Sequence, residues 1–324
     1  MTDAPNMQPR PPRAEQPRQV KKIRRDVSGW IVLDKPVGMT STHAVSIAKR
    51  LFNAKKAGHA GTLDPLASGL LPLAFGEATK TVPFVMDGEK AYRFTVKWGA
   101  ETDSDDADGS VTATSERRPA QEDIENALPF FIGEISQVPP KFSALKIDGE
   151  RAYDLARDGE EVVLEARTVF IRSLKLVESD ADTAVFAAEC GKGTYVRAIA
   201  RDLGRRLGCL GHVVALRRTR VGPFHETDAI TVDELRAAGE QGPESDDLRR
   251  CLLPVETALA DLPEVRVGQH EATRLANGQP VILRGRDAPA TLGTVYVTCH
   301  GRLVALAEAE KGQLLPKRAF HLPG

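Results

Sequence analysis

Apolar positions change period repeatedly along the chain, and each change marks an element. WIVLDKP (30–36) is almost continuously apolar and is stopped by Pro36 and Gly38, which predicts a short strand. Ser41 or Thr42 then caps a helix whose Val45, Ala48, Leu51 and Phe52 share one side. Lys49, Arg50, Lys55 and Lys56 crowd its end, where cations suit the helix dipole. YRFTVKW (92–98) alternates strictly, with Tyr92, Phe94, Val96 and Trp98 on one face and Arg93, Thr95 and Lys97 on the other. That is a strand with one covered face. A loop over the acidic stretch 101–109, a helix around 121–131 and a strand pair over 169–177 and 183–190 are expected next. After GKGT (191–194), Val196, Ile199, Ala200, Leu203 and Leu207 make a helical apolar face. Arg197, Arg201 and Arg205, at i, i+4 and i+8, form a separate basic stripe. The pattern breaks around 240–263. Beyond it, HEATRLANG (270–278) predicts a helix ending at Gly278, and short strands near 280–283, 293–299 and 302–309 predict a compact β-barrel-like module.

Length and composition narrow the class. At 324 residues the chain is long enough for two domains, and 41% hydrophobic content excludes global disorder. Four cysteines far apart in sequence, without a C-x-x-C pair, fit neither a disulfide framework nor a thiolate zinc site, and point to the cytoplasm. The N-terminus lacks an apolar core of the kind a secretory signal needs, and no run approaches the roughly 18 apolar residues of a spanning helix. The net charge of −1 conceals uneven placement. Residues 1–26 read as a disordered basic tail with Arg10, Arg13, Arg18, Lys21, Lys22, Arg24 and Arg25 against Asp3, Glu15 and Asp26. Arg197 to Arg220 holds seven arginines against Asp202 alone, while acids collect in ETDSDDAD (101–108) and EQGPESDD (240–247). Such charge runs are either solvated faces or a surface for a polyanion.

The chemistry is narrowed first by what is missing. There is no phosphate-binding G-x-x-x-x-G-K-[ST], no G-x-G-x-x-G, and HEATR (270–274) fails the H-E-x-x-H zinc pattern, so neither cofactor nor metal is expected. The most unusual segment is AGHAGTLDPLASGLLPLAFGEATK (57–80), in which Asp64 is the one acid among small and apolar residues before Glu77. Asp64 followed by Pro65 is a favoured helix start, which is the plainer reading. The chemical reading is that glycines 58, 61 and 69 let a substrate approach the backbone. A carboxylate there serves as a nucleophile without a helper base.

GHAGTLDPLASGLLPLAFGEATK resembles the signature of the TruB family of tRNA pseudouridine synthases. Further blocks similar to that family follow in order: LDKPVGMTS (33–41), the Tyr92 strand, TDSDDADG (102–109), PPKFSALKIDGERAYDLAR (139–157), CGKGTYVRAIARDLG (190–204) and GHVVALRRTRVGPF (211–224). The similarity runs continuously over about 30–260, and LANGQPV and LLPKRAF near the C-terminus more weakly resemble a PUA-type RNA-binding module.

The resemblance implies an α+β pseudouridine synthase fold with a mixed, largely antiparallel central sheet over 27–255, a thumb-like insertion at about 140–160, and a PUA-like module over 262–324. It implies isomerisation of the T-arm uridine of tRNA (position 55) by a cytoplasmic monomer. Asp64 becomes the catalytic carboxylate, adding to C6 of the uracil or acting at the sugar to give a glycal-type intermediate. Arg197 and Asp106 match a network around it. Tyr92 matches a tyrosine that packs on the target base and assists loss of the C5 proton. Tyr195 and Leu216 match residues lining the uridine pocket, His59 a residue that fills the space left by the extruded base, and Lys35 a pocket support. Read from the sequence without the family, the same residues are a capping Asp64, a surface Arg197, a solvated Asp106 and His59, and core Tyr92, Tyr195 and Leu216. The arginine stripe and the 140–160 segment are expected to grip the RNA backbone and offset the cost of flipping a base. A tRNA-folding factor and a guide-RNA-dependent synthase subunit are the rival functions.

Overall fold

The computed structural model describes residues 23–143, 146–147, 150–151, 164–283 and 293–322. Of the seven basic residues expected in the N-terminal tail, Arg10, Arg13, Arg18, Lys21 and Lys22 lie outside them while Arg24 and Arg25 are described, and most of the expected thumb lies outside as well. Within the latter, Lys146–Ile147 and Glu150–Arg151 are described, as an antiparallel pair. The last residues of the expected tail are not loose: the Arg25 N–H donates to the Asn53 carbonyl at 2.8 Å, and Lys55 donates back to Arg25 at 2.9 Å.

The larger body is built on one twisted sheet. In chain order its main strands are β1 (Gly29–Lys35), β2 (Ala57–His59), β3 (Ser68–Phe75), β4 (Lys90–Trp98), β5 (Gly133–Gln137), β6 (Arg167–Ser179), β7 (Thr183–Cys190), β8 (Gly211–Val221) and β9 (Ala229–Thr231). Their spatial order is β9-β1-β3-β8-β4-β7-β6-β5, with β2 paired to β3 off that path. The β1–β9 and β3–β8 pairs are parallel and the other main pairs antiparallel, giving the mixed, largely antiparallel sheet expected. β1 and β3 are covered on both faces, which is why WIVL and LLPLAF are apolar without alternation. β4 keeps its alternation because only one face is covered: Phe94, Val96 and Trp98 are buried, while Arg93 and Lys97 are exposed. Phe94 stacks on Phe186 of β7 with centroids 5.4 Å apart.

Two helices position the site. The first, α1 (Ser41–Leu51), is capped by Thr40, whose hydroxyl accepts the His43 N–H at 3.1 Å. Neither Ser41 nor Thr42 is the cap, and Ser41 is used elsewhere. The second, α2 (Val196–Leu207), ends on Gly208 in the left-handed region and buries Val196, Ile199, Ala200, Leu203 and Leu207 as expected. Its arginines depart from expectation. Arg197 and Arg201 are also buried, because the hairpin Ala100–Thr102/Val111–Thr114 and the chain after β5 close over that face.

The C-terminal module is a five-stranded sheet, ordered Glu264–Arg266, Gly293–Cys299, Arg302–Glu310, Gln313–Ala319, Val281–Ile282, with the helix Gln269–Ala276 against it. Its first strand and Gln313–Ala319 escaped the sequence pattern. The module is fused to the larger body: Leu303, Leu306 and Phe320 share one hydrophobic cluster with Trp30, Val32, Leu70 and Phe224 on the far side of β1 and β3. Lys80 Nζ donates to the Ala319 carbonyl at 2.8 Å, and the His321 N–H donates to Glu77 at 2.7 Å.

Candidate active site

The loop 60–67 between β2 and β3 carries Asp64. No helix follows it: a turn whose Asp64 carbonyl accepts the Ala67 N–H at 3.1 Å leads straight into β3. The capping reading is therefore wrong, since the Leu70–Phe75 run is extended by pairing with β1 and overrides the local Asp-Pro signal. The loop is held from three sides. Ser41 Oγ donates to the Leu63 carbonyl at 3.0 Å and accepts the Leu63 N–H at 2.9 Å. The Gly38 N–H reaches the Pro65 carbonyl at 2.7 Å. Buried Arg218 of β8 donates to Leu70, Thr62 and Gly61 carbonyls at 2.8, 3.3 and 3.2 Å. β3 and β8 pair at Ser68–Arg217 and Gly69–Arg218, and there Gly69 adopts φ +99°. A Cβ on Gly69 would lie 2.2 Å from the Arg218 carbonyl, so only glycine permits that crossing.

Asp64 stays 38% exposed at one side of a cleft of about 530 Å³, which Tyr92, Tyr195, Leu216, Arg197 and Arg218 also line. Arg197 is the centre of the polar arrangement. Its guanidinium lies 2.9 Å from Asp64 and 3.2 Å from Asp106, and donates to the Ser104 and Phe142 carbonyls at 2.9 Å each. With Arg197 and Asp106 buried, this is neither a surface arginine nor a solvated acid. Asp106 also accepts from the Ser104 hydroxyl at 2.6 Å and the Asp108 N–H at 3.1 Å, so its charge is fully partnered.

Tyr92 faces the cleft from β4. Burial pushes its phenol up to about 12, although Arg218 hydrogen-bonds it and acts the other way. It is a neutral phenol in ordinary conditions. Tyr195 precedes α2, and its main chain is clamped by the Gln137 side-chain amide, which accepts its N–H at 2.9 Å and donates to its carbonyl at 3.2 Å. Leu216 sits opposite Phe94 in the β4–β8 register and opens its side chain to the cleft. Lys35 is buried behind the loop, donating to the Pro36 and Met39 carbonyls at 2.9 and 2.8 Å. Burial draws its ammonium down to about 8, with Asp64 opposing that shift and Arg218 adding to it. His59 ends β2, five residues before Asp64, and like Lys35 and Asp106 does not line the cleft itself.

Two participants escaped the sequence reading. Arg218 was hidden inside an arginine-rich run, and only its place opposite Gly69 separates it from Arg217 and Arg220. Gln137 has no local signal at all. The same run shows why charge counting misleads. Arg201 pairs with Asp105, Arg205 with Glu101, Arg217 with Asp34 and Glu226, and Arg220 with Glu89. Arg206 lies over the Phe130 ring. Arg197, Arg201 and Arg218 are buried and spent on internal ties, whereas Arg205 and Arg206 remain exposed, so only the end of the stripe expected to grip RNA is at the surface. Among the described residues no group of acids, histidines and cysteines is arranged for a metal, and no helix is long and apolar enough to cross a membrane.

Three family models together span most of the chain. TruB family pseudouridylate synthase (N terminal domain) matches 49–196, tRNA pseudouridylate synthase B C-terminal domain matches 197–260, and Pseudouridine synthase II TruB, C-terminal, matches 263–320. A protein named tRNA pseudouridine synthase B from Bradyrhizobium diazoefficiens is 62% identical over 328 residues, covering 99% of this chain and 95% of its own length. One of the same name from Rhodopseudomonas palustris is 62% identical over 306 residues, covering 94% and 84%. Among solved structures, a chain of an H/ACA RNP bound to a substrate RNA containing 2′-deoxyuridine superposes with TM-score 0.71 at 25% identity, covering 91% of this chain and 85% of that one. A chain of a Cbf5–Nop10–Gar1 complex gives TM-score 0.69 at 28% identity, with 90% and 84% covered.

Proposed function

This chain belongs to the TruB family of pseudouridine synthases, and from that premise we propose that it isomerises the T-arm uridine of tRNA, position 55, with Asp64 as the reacting carboxylate. The chemistry is an RNA uridine isomerisation. The N1–C1′ bond breaks, the uracil turns, C5 bonds to C1′, the C5 hydrogen leaves as a proton and N1 gains one. Nothing is oxidised or hydrolysed overall, so side chains suffice.

The observation that carries this reading is the partly exposed Asp64 carboxylate held 2.9 Å from buried Arg197 at a cleft lined by Tyr92, Tyr195 and Leu216. Arg197 fixes the carboxylate and disperses charge that changes as the glycosidic bond breaks. Tyr92 packs its ring against the flipped uracil as a neutral phenol, which makes it a poor base for the C5 proton without help from Arg218. Tyr195 and Leu216 complete the walls, Lys35 and Arg218 hold the loop from behind, and His59 stands at the edge where the departing base leaves a gap. A base is out of reach inside a stack, so it must be extruded at a few kcal/mol. With Arg197 and Arg201 spent internally, only the exposed Arg205 and Arg206 of α2 are left to meet RNA, and further contacts are sought elsewhere. A second, larger groove between the two bodies is lined by Arg25, Lys55, Lys56, His300 and Arg302 with Asp26 and Glu77 among them, Lys55 pairing with Asp26 at 2.6 Å, and it shares no residue with the cleft. This supports an RNA-binding role for the module over 262–324.

A monomer is the proposed state, and a tRNA substrate favours the cytoplasm. Relatives named as tRNA enzymes share 62% identity, whereas the chains seen in RNA–protein or multiprotein assemblies share 25% and 28%, which favours action without a guide RNA. The test is purified protein on unmodified tRNA transcript. Tritium release from C5-labelled uridine is expected from the wild type and absent from Asp64→Asn, with tRNA affinity kept within a few fold. Release by Asp64→Asn rejects the assignment of Asp64. Binding and refolding of tRNA without release by the wild type would leave the folding-factor reading.

A further inference from the structure

Arg197 has a counterpart one helical turn along α2, about 6 Å away. Arg197 holds the hairpin loop through Ser104 and Asp106, and the chain after β5 through the Phe142 carbonyl. Arg201 holds the same two segments. Its Nη1 lies 2.9 Å from the Asp105 carboxylate and its Nη2 donates to the Val138 carbonyl at 2.7 Å, while Nε pairs with Asp202 at 2.8 Å. Asp105 is the residue between the two that Arg197 uses, and it adopts φ +62°, a left-handed conformation. Its N–H donates to the Thr102 carbonyl at 3.2 Å, and its own carbonyl accepts the Val213 N–H from β8 at 3.1 Å. Both Arg201 and Asp105 side chains are only 8% exposed. Nothing in the chemistry above uses them.

We propose that Arg201 and Asp105 are positioning residues for the reaction: their buried pair fixes the 104–106 loop, and so the direction in which Arg197 is presented to Asp64. This rests on the Asp64–Arg197 reading. A guanidinium held by four oxygen partners points where those partners are. Two of the four, the Ser104 carbonyl and the Asp106 carboxylate, flank the residue that Arg201 pins. Loosening Asp105 therefore lets Arg197 drift without removing any group from the cleft.

The pair is also placed to respond to acid. Burial pushes the Asp105 carboxyl up to about 6 from 3.8, against the pull of Arg201, Arg197 and Arg205. The other charged or titratable groups nearby are Asp106 and Glu101 on its own hairpin, Asp202 on α2 and His212 on β8, whose Nδ1 lies 2.9 Å from the Ala100 carbonyl. Between pH 6 and 4 the folded chain takes up a proton at Asp105 that the unfolded chain does not, so acidification favours the fold through this group. The same proton removes the charge that Arg201 holds. Turnover and stability thus part company below pH 6.

The experiment measures single-turnover pseudouridine formation on tRNA, tRNA affinity and thermal melting from pH 5 to 8. It uses the wild type, Asp105→Asn, Arg201→Gln, the double variant and Asp64→Asn. Asparagine accepts the left-handed conformation, so Asp105→Asn keeps the loop backbone. It is expected to lower the saturated rate tenfold or more at pH 7.5, to leave affinity within twofold, and to lose the wild type's acid limb near pH 6. The double variant is expected to be no slower than the slower single. A wild-type rate without an acid limb, an unchanged rate in Asp105→Asn, or multiplying effects in the double variant overturns the proposal. The wild-type profile needs no variant to fold. Turnover by Asp64→Asn would instead overturn the underlying reading of Asp64, whatever the other variants do.

Discussion

Two acidic runs that look alike in sequence have opposite fates in the fold. In ETDSDDAD, Glu101, Asp105 and Asp106 are buried and each meets an arginine of α2. In EQGPESDD, Glu240, Glu244, Asp246 and Asp247 are exposed. There Ser245 caps a short helix, Asp246 and Asp247 sit in its first turn, and their arginine partners are exposed neighbours at i+3. The second run does what such sequence usually does, complementing a helix dipole in water. The first is half of a zipper whose other half lies about a hundred residues later. Acids dominate both, five of eight residues in the first and four of eight in the second. What differs is whether arginines four residues apart are brought opposite.

The contrast can be broken from either side. The largest effect is expected from Arg197→Met, which strands Asp106 in a site 7% exposed. Removing one partner of a buried pair costs about 3–5 kcal/mol, so a marked fall in melting temperature should accompany a loss of turnover of about a hundredfold or more. Arg205→Gln should cost far less. Its guanidinium grips Glu101 at 2.6 and 2.7 Å, but the side chain is 55% exposed, so solvent screening limits the cost to no more than about 1 kcal/mol. Ser245→Ala removes a cap accepting the Leu248 N–H at 3.2 Å and should cost about 1 kcal/mol in denaturant unfolding, with turnover unchanged. Asp247→Asn is expected to stay within about 0.5 kcal/mol. Salt sharpens the same ordering: 1 M salt should erase the Asp247 effect while leaving the Arg197 effect nearly whole. If Asp247→Asn rivals Arg197→Met, the distinction between the runs is lost.

Periodicity made much of the fold legible. The β4 alternation and the α2 apolar face carry their burial in their spacing, because one covered surface imposes one period. Similarity to family blocks supplied Asp64, Arg197 and Tyr92, which the structure brings around one cleft. The misses share a physical cause. The Asp-Pro step at 64–65 encodes a helix start as well as a turn, and strand pairing across β1 decides between them. The arginine stripe has the same spacing whether it faces water or three carboxylates. Gln137 and Arg218 act through main-chain carbonyls and amides, which leave no trace in residue type.

The hydrophobic cluster from Trp30 to Phe320 welds the C-terminal module against the back of β1 and β3. The span between the groove beside Arg25 and Arg302 and the Asp64 cleft is thereby set by the protein alone. Any nucleic acid that must fill both is measured as if between the jaws of a calliper, and one whose stem has the wrong length can seat at only one jaw.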